Sequence, residues 1–186
     1  MEFTTQAIDD IIRSRRTNMF VDRDRPLADS VIDDLCSLAT WAPNHKRTWP
    51  WRFASVTGEA RSRLGQVVSG AMAANGEDPT KVAKALTKYE RTPNVIIIGS
   101  IVGDSPDRTA ENRDAVAAAA QNLMLAATAR GISTYWGSCP RGAHEAVAQF
   151  AGFESDTFIV GIFYAGYTAD EVAVPERPAP VIHRIS

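Results

Sequence analysis

The sequence predicts an α+β fold arranged as one domain, and three observations carry that prediction. Segments of helical and strand periodicity alternate along the chain, with no internal repeat and no linker between them. The run Asn94-Val-Ile-Ile-Ile-Gly-Ser-Ile-Val102 is nearly continuous and β-branched, the pattern of a strand covered on both faces. The stretch from Asp107 to Arg130 is the longest helical pattern, and its centre, Ala117 to Ala120, is alanine-rich, so another backbone or a ligand can approach closely. A length of 186 residues agrees with one domain of the usual ~100–200 residues.

Taken in order, Ile8, Ile11 and Ile12 recur at helical spacing, which predicts a helix over about 5–15 with one apolar face. A second helix follows Pro26. Val31, Ile32, Leu35, Leu38 and Ala39 form its buried stripe, and Asp29 or Ser30 is its expected cap. It has to stop near Trp41-Ala42-Pro43, because Pro43 pushes Ala42 out of helical geometry. Trp51 to Thr57 reads as a strand closed by Gly58. Leu64, Val67, Val68, Ala71 and Met72 mark another helix, broken at Asn75-Gly76, and a short helix from Lys81 to Tyr89 leads into the β-branched strand. Gly131 stops the long helix. Ser133 to Trp136 is extended, His144 to Phe150 helical, and Thr157 to Tyr164 a final apolar strand. Residues 168–186 contain Pro175, Pro178 and Pro180 and read as an extended C-terminal arm.

Composition excludes several classes. The chain is 45% hydrophobic and 23% charged, which rules out collagen-like, coiled-coil and disordered readings. Lys plus Arg number 20 against 22 Asp plus Glu, so no bulk basicity recommends nucleic acid as a partner. Cys36 and Cys139 form no CxxC pair, and with three histidines a zinc cage is not expected. The amino end lacks the basic-then-apolar order of a secretory signal, and the longest apolar run, Phe158 to Gly166, is too short for a bilayer. The expectation is a cytoplasmic protein that engages neither membrane nor nucleic acid.

Three segments are candidates for chemistry, each with a plainer structural alternative. Arg13-Ser14-Arg15-Arg16-Thr17-Asn18 gathers guanidiniums, a hydroxyl and an amide, which suits a phosphate or polyoxygen ligand. Arginines in a last helical turn equally complement the helix dipole. Trp41-Ala-Pro-Asn-His45-Lys-Arg-Thr-Trp-Pro-Trp51 mixes planar rings with donors and suits a flat heteroaromatic ligand, while some of its tryptophans, Trp51 foremost, serve equally as core anchors. Gly131-Ile-Ser-Thr-Tyr-Trp-Gly-Ser-Cys139 offers backbone amides beside Gly137, or is a strand edge with two buried rings. The Gly-x-Gly-x-x-Gly, P-loop and Gly-x-Ser-x-Gly signatures are absent. Cys139 with His144 is a poor nucleophile pair, five residues apart on different elements.

Together these landmarks resemble the nitroreductase superfamily of FMN-dependent oxidoreductases, closest to its short, minimal bacterial members. Arg15-Arg16-Thr17 matches the family's Arg-Arg-Ser. Trp41-Ala42-Pro43-Asn44-His45-Lys46 and Pro50-Trp51-Arg52-Phe53 match its Ala-Pro step and Pro-Trp closure. Ala117 to Leu123, Gly131, Trp136 and the late apolar strand from Ile159 to Tyr167 follow in the family's order.

The resemblance implies a nitroreductase-like fold, with a central, mostly antiparallel sheet flanked by helices, and an intertwined homodimer with two shared sites. It implies FMN as cofactor and NADH or NADPH as electron donor. Arg15, Arg16 and Thr17 would bind the FMN phosphate and its ribityl or pyrimidine edge. Trp41 and His45 would reach the flavin from the partner subunit, and Tyr135, Trp136 and Gly137 would line it on the strand side. The implied chemistry is ping-pong hydride transfer through flavin N5 to a nitroaromatic, quinone or similar electron-poor acceptor, with no covalent side-chain nucleophile. Arg16 or His45 would be the donor at the flavin N1–C2=O edge, and Ser69 to Arg91 the wall of the pocket. The minimal members carry basic residues where Trp41 and Gly137 stand, so phosphate neutralisation falls to another group, with Arg141 and Arg52 as candidates. Two other outcomes stay open within the resemblance: a flavin-sequestering protein with little turnover, and a specialised flavin chemistry such as reductive dehalogenation.

Overall fold

The computed structural model describes residues 4–185, so Met1 to Phe3 of the amino-terminal segment, and Ser186, lie outside the described residues. The first helix, α1 (Thr5–Ser14), brings Ile8 and Ile12 to one face as their spacing requires. Helix α2 (Asp29–Ala39) buries Ile32, Leu35 and Ala39 and gives way at Thr40, ahead of Pro43. Its cap differs from expectation. Ala28 occupies the N-cap with no side-chain bond, and Asp29 already lies inside the first turn, where its charge complements the helix dipole.

Strand β1 (Trp51–Thr57) leads through Gly58, which adopts a left-handed φ of 53°, into α3 (Ala60–Ala74). Helix α4 (Pro79–Lys88) begins earlier than the apolar spacing predicted. Asp78 caps it by accepting from the backbone N–H groups of Thr80 (2.9 Å) and Lys81 (3.1 Å), and Pro79 fits the first turn. Strand β2 (Asn94–Ser100) stops short of Val102: Ser100 pairs with Trp51, the first residue of β1, and the Ile101 N–H still donates to the Pro50 carbonyl at 2.9 Å, but Pro50 has no N–H with which to extend the ladder. Ser105 then caps α5 (Pro106–Thr128), and β3 (Ile132–Gly137), α6 (His144–Phe150) and β4 (Phe158–Tyr167) complete the order.

The four strands form one sheet in the order β1-β2-β4-β3, every named pair antiparallel. Strand alternation divides the core in two. Ile96, Ile98, Phe163 and Ala165 face α2 and α5, while Val95, Ile97, Ile162 and Tyr164 face α3, α4 and α6. Strand β2 is therefore buried along its whole length, the reason for its continuous apolar run. Strand β3 is an edge, and its outer side meets the end of α1. Thr17 pairs with Thr134 in a short parallel bridge, and the Asn18 N–H donates to the Thr134 carbonyl at 3.2 Å. After β4 the described residues carry no helix or strand. The root of this arm is tied down where Asn18 Nδ2 donates to the Asp170 carbonyl (2.9 Å) and the Ser133 and Thr168 hydroxyls meet (2.8 Å).

Candidate functional site

The end of α1 forms a cationic rim. Arg15 closes the helix by donating its N–H to the Ile11 carbonyl at 3.1 Å, and its side chain is partly buried. Burial, then Arg177, then Arg16 push its guanidinium below the ordinary arginine range. Arg16 folds back: its Nη1 donates to the carbonyls of Arg15 (2.8 Å) and Arg13, while its Nε is buried with no partner. Part of Arg16 thus serves the helix C-terminus, as the dipole argument anticipates. A cavity of about 490 Å³ is bordered by Arg13, Arg15, Arg16, Arg177 and Gln121, with no acidic side chain among the described residues that line it. Thr17 is exposed beside this rim. Arg177 is the residue that sequence reasoning missed: it arrives from the arm, and only the arm's path past α1 brings it to the cluster. Its one signal was an arginine set among the prolines of that arm.

A second cavity, of about 430 Å³, has planar walls. Trp136, Phe158 and His144 line it together with Arg113 and Ala117 of α5 and Ser138 beyond β3. Phe158 meets the His144 ring, stacked at 4.8 Å, and the Arg113 guanidinium, 4.1 Å from its centroid. Burial and the neighbouring Arg113 lower the His144 pKa, so its ring is neutral and Nδ1 accepts the Ile159 N–H at 3.3 Å. Trp136 lies 5.0 Å from Phe163 and donates Nε1–H to the Val160 carbonyl at 3.1 Å. That seating requires Gly161, because a Cβ there would stand 2.4 Å from the indole nitrogen. Tyr135 lies on the other sheet face, edge-on to Tyr164 at 5.7 Å. Gly137 is buried between them, with the Ile162 carbonyl 3.0 Å from where its Cβ would be.

The two cavities share one stripe of α5. Ala117 borders the ring-lined cavity and Gln121 the arginine-lined one, a single helical turn apart or about 6 Å along the axis. An elongated ligand with an anionic end and a flat end matches this sequence of surfaces. No residue from Ser69 to Arg91 lines either cavity; α5 contributes to both, and the arm to the arginine-lined one. Both thiols are pushed up by burial, Cys139 to about 12 and Cys36 to about 11, which keeps them protonated at neutral pH.

The tryptophan loop stands apart from both cavities. Trp41 is 83% exposed and Trp49 57%, whereas Trp51 packs against the core. Lys46, Arg47 and Trp49 hold left-handed φ angles of 62°, 52° and 49°. For non-glycine residues each such angle costs on the order of 1–3 kcal/mol and persists only where neighbours enforce it. Here Asn44 accepts the Trp49 N–H at 2.9 Å and donates to Thr48 Oγ1 at 3.0 Å; Thr48 in turn donates to Asn112 Oδ1 of α5 at 2.6 Å. His45 Nδ1 lies 3.1 Å from Glu111 Oε1. Arg52 is not available for a ligand phosphate, since Glu154 accepts from its Nε and Nη2 at 2.7–3.2 Å. Arg141 is exposed.

Among the described residues no three His, Cys, Asp or Glu side chains gather for a metal ion, and no helix is long and apolar enough to cross a membrane. A model of the Nitroreductase family matches residues 12–167. The chain belongs to the nitroreductase family. YfhC of Bacillus subtilis, named as an NAD(P)H nitroreductase, is 28% identical over 95% of this nitroreductase-family chain and 92% of its own length. A nitroreductase-like family protein from Bacillus cereus superposes with a TM-score of 0.77 at 26% identity, covering 98% of this chain and 94% of that one. The fold also matches the FMN-dependent nitroreductase NfnB of Mycobacterium smegmatis, solved with NADPH, at a TM-score of 0.74 and 20% identity over 96% and 99% of the two chains.

Proposed function

We propose that this nitroreductase-family chain is an FMN-dependent oxidoreductase working as a homodimer, which takes hydride from NADH or NADPH and passes it to a nitroaromatic, quinone or similar electron-poor ring. The observation that carries this reading is the acid-free arginine cavity set one helical turn from a cavity walled by rings. The residues present fit FMN. Crowding Arg15 against Arg16 and Arg177 in partial burial is unfavourable until an anion sits among them. Bound there, FMN supplies a two-electron carrier that accepts hydride at N5 and releases it in a second half-reaction.

The protein's own part is binding and orientation. Arg15, Arg177 and the Thr17 hydroxyl hold the phosphate, and Arg16 divides its donors between that end and α1. Trp136 bounds the ring from the α5 side, while Tyr135 and Gly137 lie on the Tyr164 side of β3, outside that cavity. Trp41 and His45 complete the site from the partner subunit. A second copy is supported by α1, where none of the described residues is buried and Ile8 and Ile12 are each 52% exposed. Steady-state NADPH oxidation with a nitroarene tests the activity. Parallel double-reciprocal lines across acceptor concentrations are expected; intersecting lines, or no turnover with FMN bound, overturn the ping-pong reading.

A further inference from the structure

The contacts of His45 at the first turns of α5 have a consequence for how that ring meets a ligand. Its Nδ1 faces two groups of opposite hydrogen-bonding character: Glu111 Oε1 at 3.1 Å, which only accepts, and Arg108 Nη1 at 3.2 Å, which only donates. Arg108 Nη1 also donates to Glu111 Oε2. With the proton on Nδ1, His45 donates to Oε1 and Arg108 donates to Oε2, so all three groups are served. With the proton on Nε2, Nδ1 accepts from Arg108 Nη1, but its lone pair then stands against Glu111 Oε1, which loses the His45 donor, while Arg108 already has Oε2 as an acceptor. The first arrangement is the favourable one, and it leaves Nε2 as the ring atom open to a ligand.

We infer that Glu111 is a positioning residue, which holds the Nδ1–H of His45 so that Nε2 is presented across the subunit interface to the polar edge or phosphate chain of FMN. The inference rests on the function proposed above. One observation separates it from an ordinary surface ion pair. His45 and Glu111 side chains are 60% and 42% exposed in the single chain, so their contact adds little to folding. Yet the backbone that carries His45 is held in three left-handed residues by Asn44, Thr48 and the buried Asn112, a rigid support for a group without a role in the core. Asn112 and Glu111 are consecutive on α5, so the same turn fixes both the loop and the ring.

A double-mutant cycle on FMN affinity tests this, with binding to apoprotein read from FMN fluorescence. Glu111→Gln is expected to raise the FMN dissociation constant about tenfold in the wild-type background and less than about twofold in His45→Ala, since coupled residues are non-additive. The thermal midpoint of apoprotein should not move. A second reading needs no cofactor: nitrogen NMR of His45 in apoprotein should show the proton on Nδ1, shifting to Nε2 in Glu111→Leu, where Arg108 alone faces Nδ1. Equal weakening by Glu111→Gln in both backgrounds, or a wild-type ring without the Nδ1 proton, overturns the inference while the flavin reading stands. Failure of every variant and the wild type to take up FMN overturns the flavin reading and the presentation of Nε2 to it, and the NMR result still decides the tautomer.

Discussion

The centre of the sheet and the rim around α1 are made of the same residue types and treat them in opposite ways. Strand β2 buries each of its residues, with Ile96 and Ile98 against α5 and Ile97 against α3 and α6. Helix α1 is as amphipathic as a core helix, yet Ile8 and Ile12 stay open, and Val181 in the arm is 84% exposed. Charges divide the same way. Arg52 is satisfied by Glu154 within the chain, whereas Arg15, Arg16 and Arg177 crowd a cavity without an acid. The interior is complete in one copy of the chain. We propose that a second copy and an anionic ligand complete the rim, which would place function there rather than in the core.

The contrast is broken most severely from the inside. Ile97→Ala removes side-chain volume from a fully buried site and should lower stability by about 2–5 kcal/mol, read from urea unfolding. Arg15→Ala should leave apoprotein stability nearly unchanged but weaken FMN binding by about 1.5–3 kcal/mol, the value of hydrogen bonds to a charged group. Equal FMN affinity in that variant would return Arg15 to the solvent. Ile12→Asp should convert a dimer to monomer in sedimentation while far-ultraviolet circular dichroism is retained, because it sets an unpaired charge in the proposed interface.

The smallest effect belongs to the exposed pair. Arg52→Gln should cost less than about 1 kcal/mol. The Arg52 hydrogen bond holds the Glu154 carboxyl down at about 2. A depressed carboxylate contributes stability above its ordinary range and loses it as pH falls from there through the folded value. The difference between wild type and Arg52→Gln should therefore be full at neutral pH and vanish on acidification toward pH 2.

Local signals were legible in the sequence, and contacts set by distant chain paths were not. The strand at Trp51 to Thr57 and the helix at His144 to Phe150 have the bounds that their periodicity predicts. The cap of α2 was misplaced because two good capping residues sit in tandem and neither takes the position. Tyr135 and Trp136 were legible as strand residues beside Gly137, but alternation sends their side chains to opposite faces. Arg177 and the pairing of Arg52 with Glu154 depend on segments more than a hundred residues away. The arginine rim was visible at Arg15-Arg16-Thr17; that Arg16 spends donors on the Arg13 and Arg15 carbonyls depends on how its side chain folds back, which no local pattern signals.

The central claim is that the rim holds FMN and uses it with a nicotinamide donor. The visible spectrum of the purified protein, taken before and after NADPH under anaerobic conditions, tests it most directly. A yellow protein that bleaches within seconds and regains its colour on addition of a nitroarene or quinone is the predicted result. A colourless protein that fails to take up added FMN would contradict it.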